Sequence, residues 1–565
     1  MQDDLSRASV CFAEGDVTRA EDLVRAALKA APQSIAGRTL LGHILVRKGD
    51  LLAAETEFRA VLQAAPQTEP AWRAWAALLQ GAGQPEQAAA CLVRGLSHLP
   101  DSHALQNDLA LVYLRLGRLD EAAVHAKRAT ELVPQVAASW FNLGVVYGRQ
   151  ARPDEAVAAF RAALARDARL AEAHNALGEV LHARDPAGAE AAILAALAVK
   201  PDYAEALDNL GALEVLRGDL AAALAKFDQA LAIKPGLMRA LAHKTTALFL
   251  AGRLPEAWAL HQRRFEAAGL RNDPYGRFTP ARWNGESLAG KGLLVWTELG
   301  LGEEILQAGM FSDALQTGAR LTVECSPRLA ALFQRSFPAA TILPRVNPTR
   351  ASTAPIDADY QIAGGDLGRI YRSDWGQFPP HAGYLAPDPA LTAALRRKYQ
   401  RDGALVVGIS WGSTRSGLGV TKTMDLAAFA PILRQGGVVF VNLQYAADTA
   451  EVAAVENALG VRILTDTTVD PLGDMDAVAA QVAATDLVIC VSNTVAHVAG
   501  ALNVPVWNII PGYKASGMWH WFSGSERSPW YPSMKIYRRV QEDDATLMNQ
   551  IAADLAAKCA RSGAA

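Results

Sequence analysis

Prolines fall at Pro32, Pro66, Pro100 and Pro134, each 34 residues after the last, and no other feature constrains the chain as tightly. The same register continues at Ala168, then at Pro201 one residue early, then at Pro235. Proline cannot donate the helical hydrogen bond, so each of these positions ends a helix. A period of this length holds two helices and a turn. One such pair cannot bury its apolar face alone, whereas a stack of pairs can. The spacing predicts an array of helix pairs over roughly 1–235.

The marks inside the period agree. In "AASWFNLGVVYGRQARPDEAVAAFRAALARDA", Trp140, Leu143, Gly144, Tyr147, Ala156, Phe160 and Ala163 resemble the tetratricopeptide (TPR) pattern. Leu207, Leu210, Gly211, Ala223, Phe227 and Ala230 repeat it. Small residues at Gly144, Gly211, Ala156 and Ala223 let paired helices approach closely. A weaker eighth repeat with Gly252 and Ala257 carries the pattern to about 268. Solenoids of this kind hold partners and rarely do chemistry. Asn142 and Asn209 stand where similar solenoids face their groove, with Asp108 at the equivalent place and Asn175 offset by one. Their amides suit an extended peptide backbone, and a solvated polar face is equally compatible.

After Phe265 the helical pattern ends. Residues 269–292 read as an ordered connector rich in Gly, Pro and aromatics. Beyond it short β-branched runs alternate with helices: "GLLVWTE", "RLTVEC", "TILP", then "ALVVGISW", "VVFVNLQ", "VRILT", "DLVICVS" and "VPVWNII". Such alternation means parallel sheet covered on both faces. The Pro-rich stretch near 376–389 separates two series. The expected organisation is a helical solenoid over 1–268, a connector, and two Rossmann-like halves over 293–390 and 391–565, with ligands at the carboxyl ends of the strands.

Three loops follow strands and open helices. "TELGLGEEI" places Gly300 and Gly302 in a tight turn with Glu303 and Glu304 at a helix head, as helix-dipole partners or as a base. "SWGSTRSGLGVTKTMDL" offers Ser413, Thr414 and Lys422, which suit phosphate oxygens, although Lys422 as plain surface charge fits the residues equally well. "DLVICVSNTVAHVAGALNVPVWNII" runs from an apolar strand into a helix start, where free N–H groups and the dipole attract anions. Ser492, Asn493 and Thr494 add short donors there. His497 lies one turn in; as a core histidine it would need a partner among small apolar neighbours, which favours a ligand contact. "DAD" at 357–359 has the look of a metal-binding motif but falls in a loop of the first series, so no metal site is expected.

At these residues the chain from about 275 to 540 resembles glycosyltransferases of the GT-B fold that follow TPR arrays in bacteria, relatives of the lipopolysaccharide heptosyltransferases. "FTPARWNGESLAGKGLLVWTELGLGEEILQAGM" and "SPWYPSMKIYRR" carry the likeness beside the 486–511 segment. The architecture is similar to O-GlcNAc transferase, and more so to the TPR-fused flagellin glycosyltransferases that add nonulosonic acids. The resemblance implies that Ser492, Asn493, Thr494 and His497 bind the donor's phosphate and ribose, that Lys422 neutralises the phosphate, and that Glu303 stands where many relatives carry Asp. It implies a donor activated by CMP, with UDP as the other choice, and a Ser or Thr of a protein such as flagellin as acceptor.

The remaining numbers bound these readings. At 565 residues the chain needs several cores. A net charge of −3 gives no reason to expect nucleic acid. Five scattered cysteines, Cys11, Cys91, Cys325, Cys490 and Cys559, with no CxxC pair, suit a reducing cytoplasm. No apolar run reaches the ~18 residues of a membrane helix, so a cytoplasmic protein is expected. The alternatives are a transferase for UDP-N-acetylglucosamine, a lipopolysaccharide or heptosyl transferase, and a non-catalytic TPR scaffold.

Overall fold

The computed structural model describes residues 2–268, 278–345, 356–401, 403–413, 422–511, 518–539 and 544–562. The chain divides into two compact units, Met1–Asn209 and Leu210–Ala565.

The first unit is a helical TPR solenoid. Its helices Val17–Ala30, Leu51–Ala64, Pro85–His98 and Leu119–Leu132 each end two residues before one of the periodic prolines. Within a pair, an aromatic ring lies directly on a glycine: a Cβ at Gly144 would come within 2.5 Å of the Phe160 ring. A second period runs through the turns inside each pair. Gly15, Gly49, Gly83 and Gly117 close the first helix of their pairs with φ between +73° and +91°. Ala151 occupies the same place at φ +56°, where an L side chain is strained. Arg152 N–H still donates to the Tyr147 carbonyl at 3.0 Å, so the helix cap forms despite the strain. Ala151→Gly is expected to stabilise this unit by about 0.5–1 kcal/mol, the steric relief exceeding the entropy that glycine adds to the unfolded chain. A higher urea midpoint checks it; an unchanged midpoint means Ala151 bears no strain.

The asparagines expected to face a groove are engaged between repeats. Asn209 is 5% exposed and its Nδ2 donates to Asn175 Oδ1 at 2.8 Å. Asn142, half-buried, donates to Asn107 Oδ1 at 2.9 Å. Asp108 takes the Arg73 guanidinium at 2.6 Å. Each partner lies 34 or 35 residues away, so the ladder ties one repeat to the next, which the expectation of open amides overlooked.

The second unit begins inside the helical array. Phe249 and Trp258, on the helices Met238–Leu250 and Leu254–His261, lie in one apolar core with the α/β part. Trp258 Nε1 donates to the Arg372 carbonyl at 2.9 Å, and Phe249 stacks on Trp519 with centroids 4.1 Å apart. The described helical part runs to Ala268. The compact unit starts earlier because these large rings are buried against residues far along the chain.

Two parallel sheets follow. The first has strands β1 (Ala281–Arg282), β2 (Gly292–Trp296), β3 (Arg320–Cys325), β4 (Thr341–Pro344) and β5 (Tyr360–Ala363), in the order β1-β5-β2-β3-β4. The second has β6 (Leu405–Ser410), β7 (Val438–Asn442), β8 (Ile463–Leu464), β9 (Leu487–Val491), β10 (Val506–Pro511) and β11 (Met534–Arg539), ordered β11-β10-β9-β6-β7-β8. Every residue of β2 and β9 is buried, as a strand covered on both faces requires. The strand order reverses between β6 and β9, and between β2 and β5. Loops diverge at such points and leave a crevice at the carboxyl ends. The Asp357-Ala-Asp359 segment lies at the opposite end: Asp357 pairs with Arg320, and Asp359 accepts the Gly292 N–H at 2.7 Å. No helix among the described residues is long and apolar enough to cross a membrane.

Candidate functional site

Both crevices open into one cleft of about 260 Å³. Gly300, Gly302 and Glu303 enter it from the end of β2, Ser413 and Lys422 from the end of β6, and Ser492, Asn493, Thr494 and His497 from the end of β9. All nine were singled out from sequence. Thr414, expected beside Ser413, lies outside the described residues.

Two helices point their first turns at this cleft. Leu301–Ala308 follows β2 and Thr494–Ala501 follows β9. A Cβ on Gly302 would stand 2.7 Å from the His497 ring, so the two helices meet closely only because that position has no side chain. Leu299, just before the first helix, has φ +72° and is 69% exposed, a strained turn of the sort found where a loop serves a site.

The two neighbouring glutamates separate. Glu304 is 2% exposed and accepts from Thr297 Oγ1 at 2.7 Å and Ser326 N–H at 2.8 Å. It ties the loop after β2 to the loop after β3, and burial pushes its carboxyl pKa up. Glu303 is the one that lines the cleft.

At the third loop the roles divide further. Asn493 caps its helix by accepting the Val495 N–H at 3.0 Å, and its Nδ2 donates to Ser410 Oγ and the Gly412 carbonyl. That side chain therefore holds the β9 loop to the β6 loop and has no donor left for a ligand. Ser492 Oγ accepts from Trp521 Nε1 at 2.8 Å. Thr494 is less deeply buried than either.

His497 departs from expectation. It has the partner a core histidine needs: Nδ1 lies 2.9 Å from Tyr531 Oη, and the ring packs on Trp521, His520 and Tyr531. The small residues of its own helix do not supply that partner; a segment 34 positions later does. His497 is thus buried packing and cleft wall together, and its removal will cost stability. Burial, and then the charge of Lys422, lower its pKa to about 3, so the ring is neutral at pH 7.

Several cleft residues were not found from sequence, Arg328 and His520 among them. Arg328 follows β3 and reaches the Pro471 carbonyl at 3.4 Å and Met475 Sδ at 3.7 Å, with no carboxylate in ion-pair range among the described residues. A basic residue just past a strand end is the only signal it gave. His520 comes from "MWHW", where nothing but the aromatic context marked it. Among the described residues the charged lining is Lys422 and Arg328 against Glu303, an excess of positive charge that favours an anionic ligand.

Comparison with known proteins bears on the helical part first. Three stretches, 12–80, 101–169 and 181–237, match models of the tetratricopeptide repeat, so the chain carries a TPR protein-interaction array ahead of an α/β region. Among curated proteins, Protein FlbA of Caulobacter vibrioides is 33% identical over 405 residues, covering 67% of this chain. The helix pairs end at His261, so a match of that extent runs into the α/β region. The chain spans 65% of that relative's length. Among solved structures, a tetratricopeptide repeat protein from Parabacteroides merdae aligns at 18% identity and a TM-score of 0.35, over 41% of this chain and 93% of that one. YrrB, a TPR protein with an unusual peptide-binding site, aligns at 21% and 0.28, over 33% and 97%.

Proposed function

We propose that the chain is a glycosyltransferase of the GT-B type, moving a sugar from a nucleotide donor to a Ser or Thr hydroxyl of a protein held by its TPR array. The observation that carries this is one cleft at two strand-order reversals, with a helix start, Lys422 and Arg328 on it and Glu303 among them. The donor's phosphate sits against Lys422 and the first turn of Thr494–Ala501, and Arg328 meets a second anionic group. A CMP-activated nonulosonic acid would meet the two cations with a phosphate and a carboxylate, and a UDP-sugar with its two phosphates. The acceptor oxygen attacks the anomeric carbon as the bond to the nucleotide phosphate breaks. Glu303 takes the hydroxyl proton, and the cations stabilise the charge gathering on the leaving phosphate. An apolar cavity beside the cleft, walled by Leu241, Phe249 and Trp519, offers room for a side chain of the acceptor. The resemblance to flagellin-modifying transferases makes flagellin the first acceptor to test.

The deciding measurement is calorimetry with CMP- and UDP-sugars. Wild type should bind one of them, and Lys422→Ala should bind it about ten- to hundredfold more weakly, the loss of one charge-assisted contact. Binding indifferent to Lys422 would move the phosphate elsewhere. A wild type that binds no nucleotide leaves a TPR scaffold with an α/β partner.

A further inference from the structure

The aromatic cluster behind the helix start holds a polar side chain on the cleft that no described residue satisfies. His520 sits on the short 3-10 turn Trp519–Trp521, is 6% exposed and lines the cleft, yet its Nε2 has no hydrogen-bond partner among the described residues. Buried polar atoms are nearly always paired, so an orphan in a residue that lines the cleft calls for a partner that the described residues do not supply. The ring cannot easily swing away to find one. Trp521 stands edge-on at 4.4 Å, His497 at 5.2 Å and Trp519 at 5.8 Å. Nor do the polar neighbours offer one: His497 Nδ1 is matched with Tyr531, Ser492 Oγ with Trp521, and the Asn493 amide with Val495, Ser410 and Gly412.

We infer that His520 is a direct contact of the donor's phosphate oxygens, forming an anion site with Lys422 and the start of the Thr494–Ala501 helix. This rests on the reading that the cleft holds a nucleotide donor. The sign of the ligand follows from the surroundings. Burial, then His497 and Lys422, hold the His520 pKa well below its usual value, so the ring by itself is neutral at pH 7. An anion placed among these groups offsets Lys422 and gives the imidazole something to donate to. A neutral hydroxyl would do only the second.

The test uses the full chain with CMP and UDP as probes. His520→Phe keeps an aromatic ring in the cluster and removes the unsatisfied nitrogen, so its melting temperature should equal or exceed that of wild type. Its affinity for the nucleotide that wild type binds should fall about tenfold or more. His520→Gln, which returns an amide N–H, should recover part of that loss. Calorimetry in buffers of different ionisation heat adds a readout that packing does not move: wild type should take up more protons than His520→Phe on binding at the same pH. Equal affinity and equal proton uptake in wild type and both variants would overturn the assignment and leave the proposed function standing. A wild type that binds neither nucleotide removes that function and this inference with it. A phenylalanine variant that melts well below wild type, with His520→Gln binding normally, would make His520 a packing residue.

Discussion

Replacing Asp366 with alanine is expected to cost the α/β unit about 3–5 kcal/mol, the usual penalty for leaving buried charges without their partner. Asp366 is 1% exposed, and it joins Arg264 and Arg282 with His261 at 3.3 Å. Burial alone would raise its pKa; the charge of Arg264, with His261 and Arg282, more than reverses this and holds the carboxyl below its ordinary range. A folded-state pKa below the unfolded one means the unfolded chain binds more protons in acid. The stabilisation is therefore complete above about pH 5, starts to fall as pH drops past the unfolded value near 3.9, and is gone only below the folded value. In the alanine variant both the stability and that acid-dependent part should be missing. Arg264 also reaches Glu298, at the head of the loop carrying Gly300 and Glu303, so the loss should spread to the cleft. Urea unfolding of wild type and variant at pH 7 and pH 3 measures both effects. A change under ~1 kcal/mol at pH 7 would mean that the two arginines find solvent once the carboxylate is gone.

Much of this architecture could be read from the chain, for identifiable reasons. Proline and the small residues of the 34-residue period act locally, so helix ends and the Gly144–Phe160 contact follow from spacing. The eight strands recognised from sequence correspond to β2, β3, β4, β6, β7, β8, β9 and β10, whose apolar runs announce burial in all but β4, which has no buried residue. The three missed strands gave weaker signals. β1 has only two residues, β5 is the short "YQIA" inside a Gly- and Asp-rich stretch, and β11 carries Lys535, Arg538 and Arg539 at the edge of its sheet. Cleft residues at strand ends were legible because parallel topology sends those loops to one side. What could not be read were pairings set by tertiary contact. Tyr531 on His497, Asn175 on Asn209, and the burial of Phe249 and Trp258 against the α/β region join positions from 34 to more than 250 residues apart, and no local pattern encodes them.

Glu303→Gln is expected to slow transfer by about 10²–10⁴-fold while donor affinity changes only a few-fold. Two carboxylates head the helix Leu301–Ala308, and their surroundings assign them different work. Glu304 is consumed by Thr297, Ser326 and the Arg345 guanidinium at 3.6 Å, so its removal should read out as lost stability. Glu303 lines the cleft beside Gly300 and Gly302, where an acceptor hydroxyl would have to approach the donor. Glutamine keeps the length and hydrogen-bonding shape of glutamate and cannot take a proton, so the variant should fold and bind as wild type does and fail at the chemical step. The pattern is the inverse of Lys422→Ala, whose donor affinity falls first. Single-turnover transfer of labelled sugar to flagellin, alongside nucleotide calorimetry, separates the two. Glu303→Asp sharpens the result, because it keeps the base and withdraws it by one methylene. It should retain more activity than Gln if a carboxylate is required, with the shortfall measuring how closely the side chain must reach. Wild-type rates in Glu303→Gln would show that the proton leaves by another route, the nearest being an oxygen of the departing phosphate.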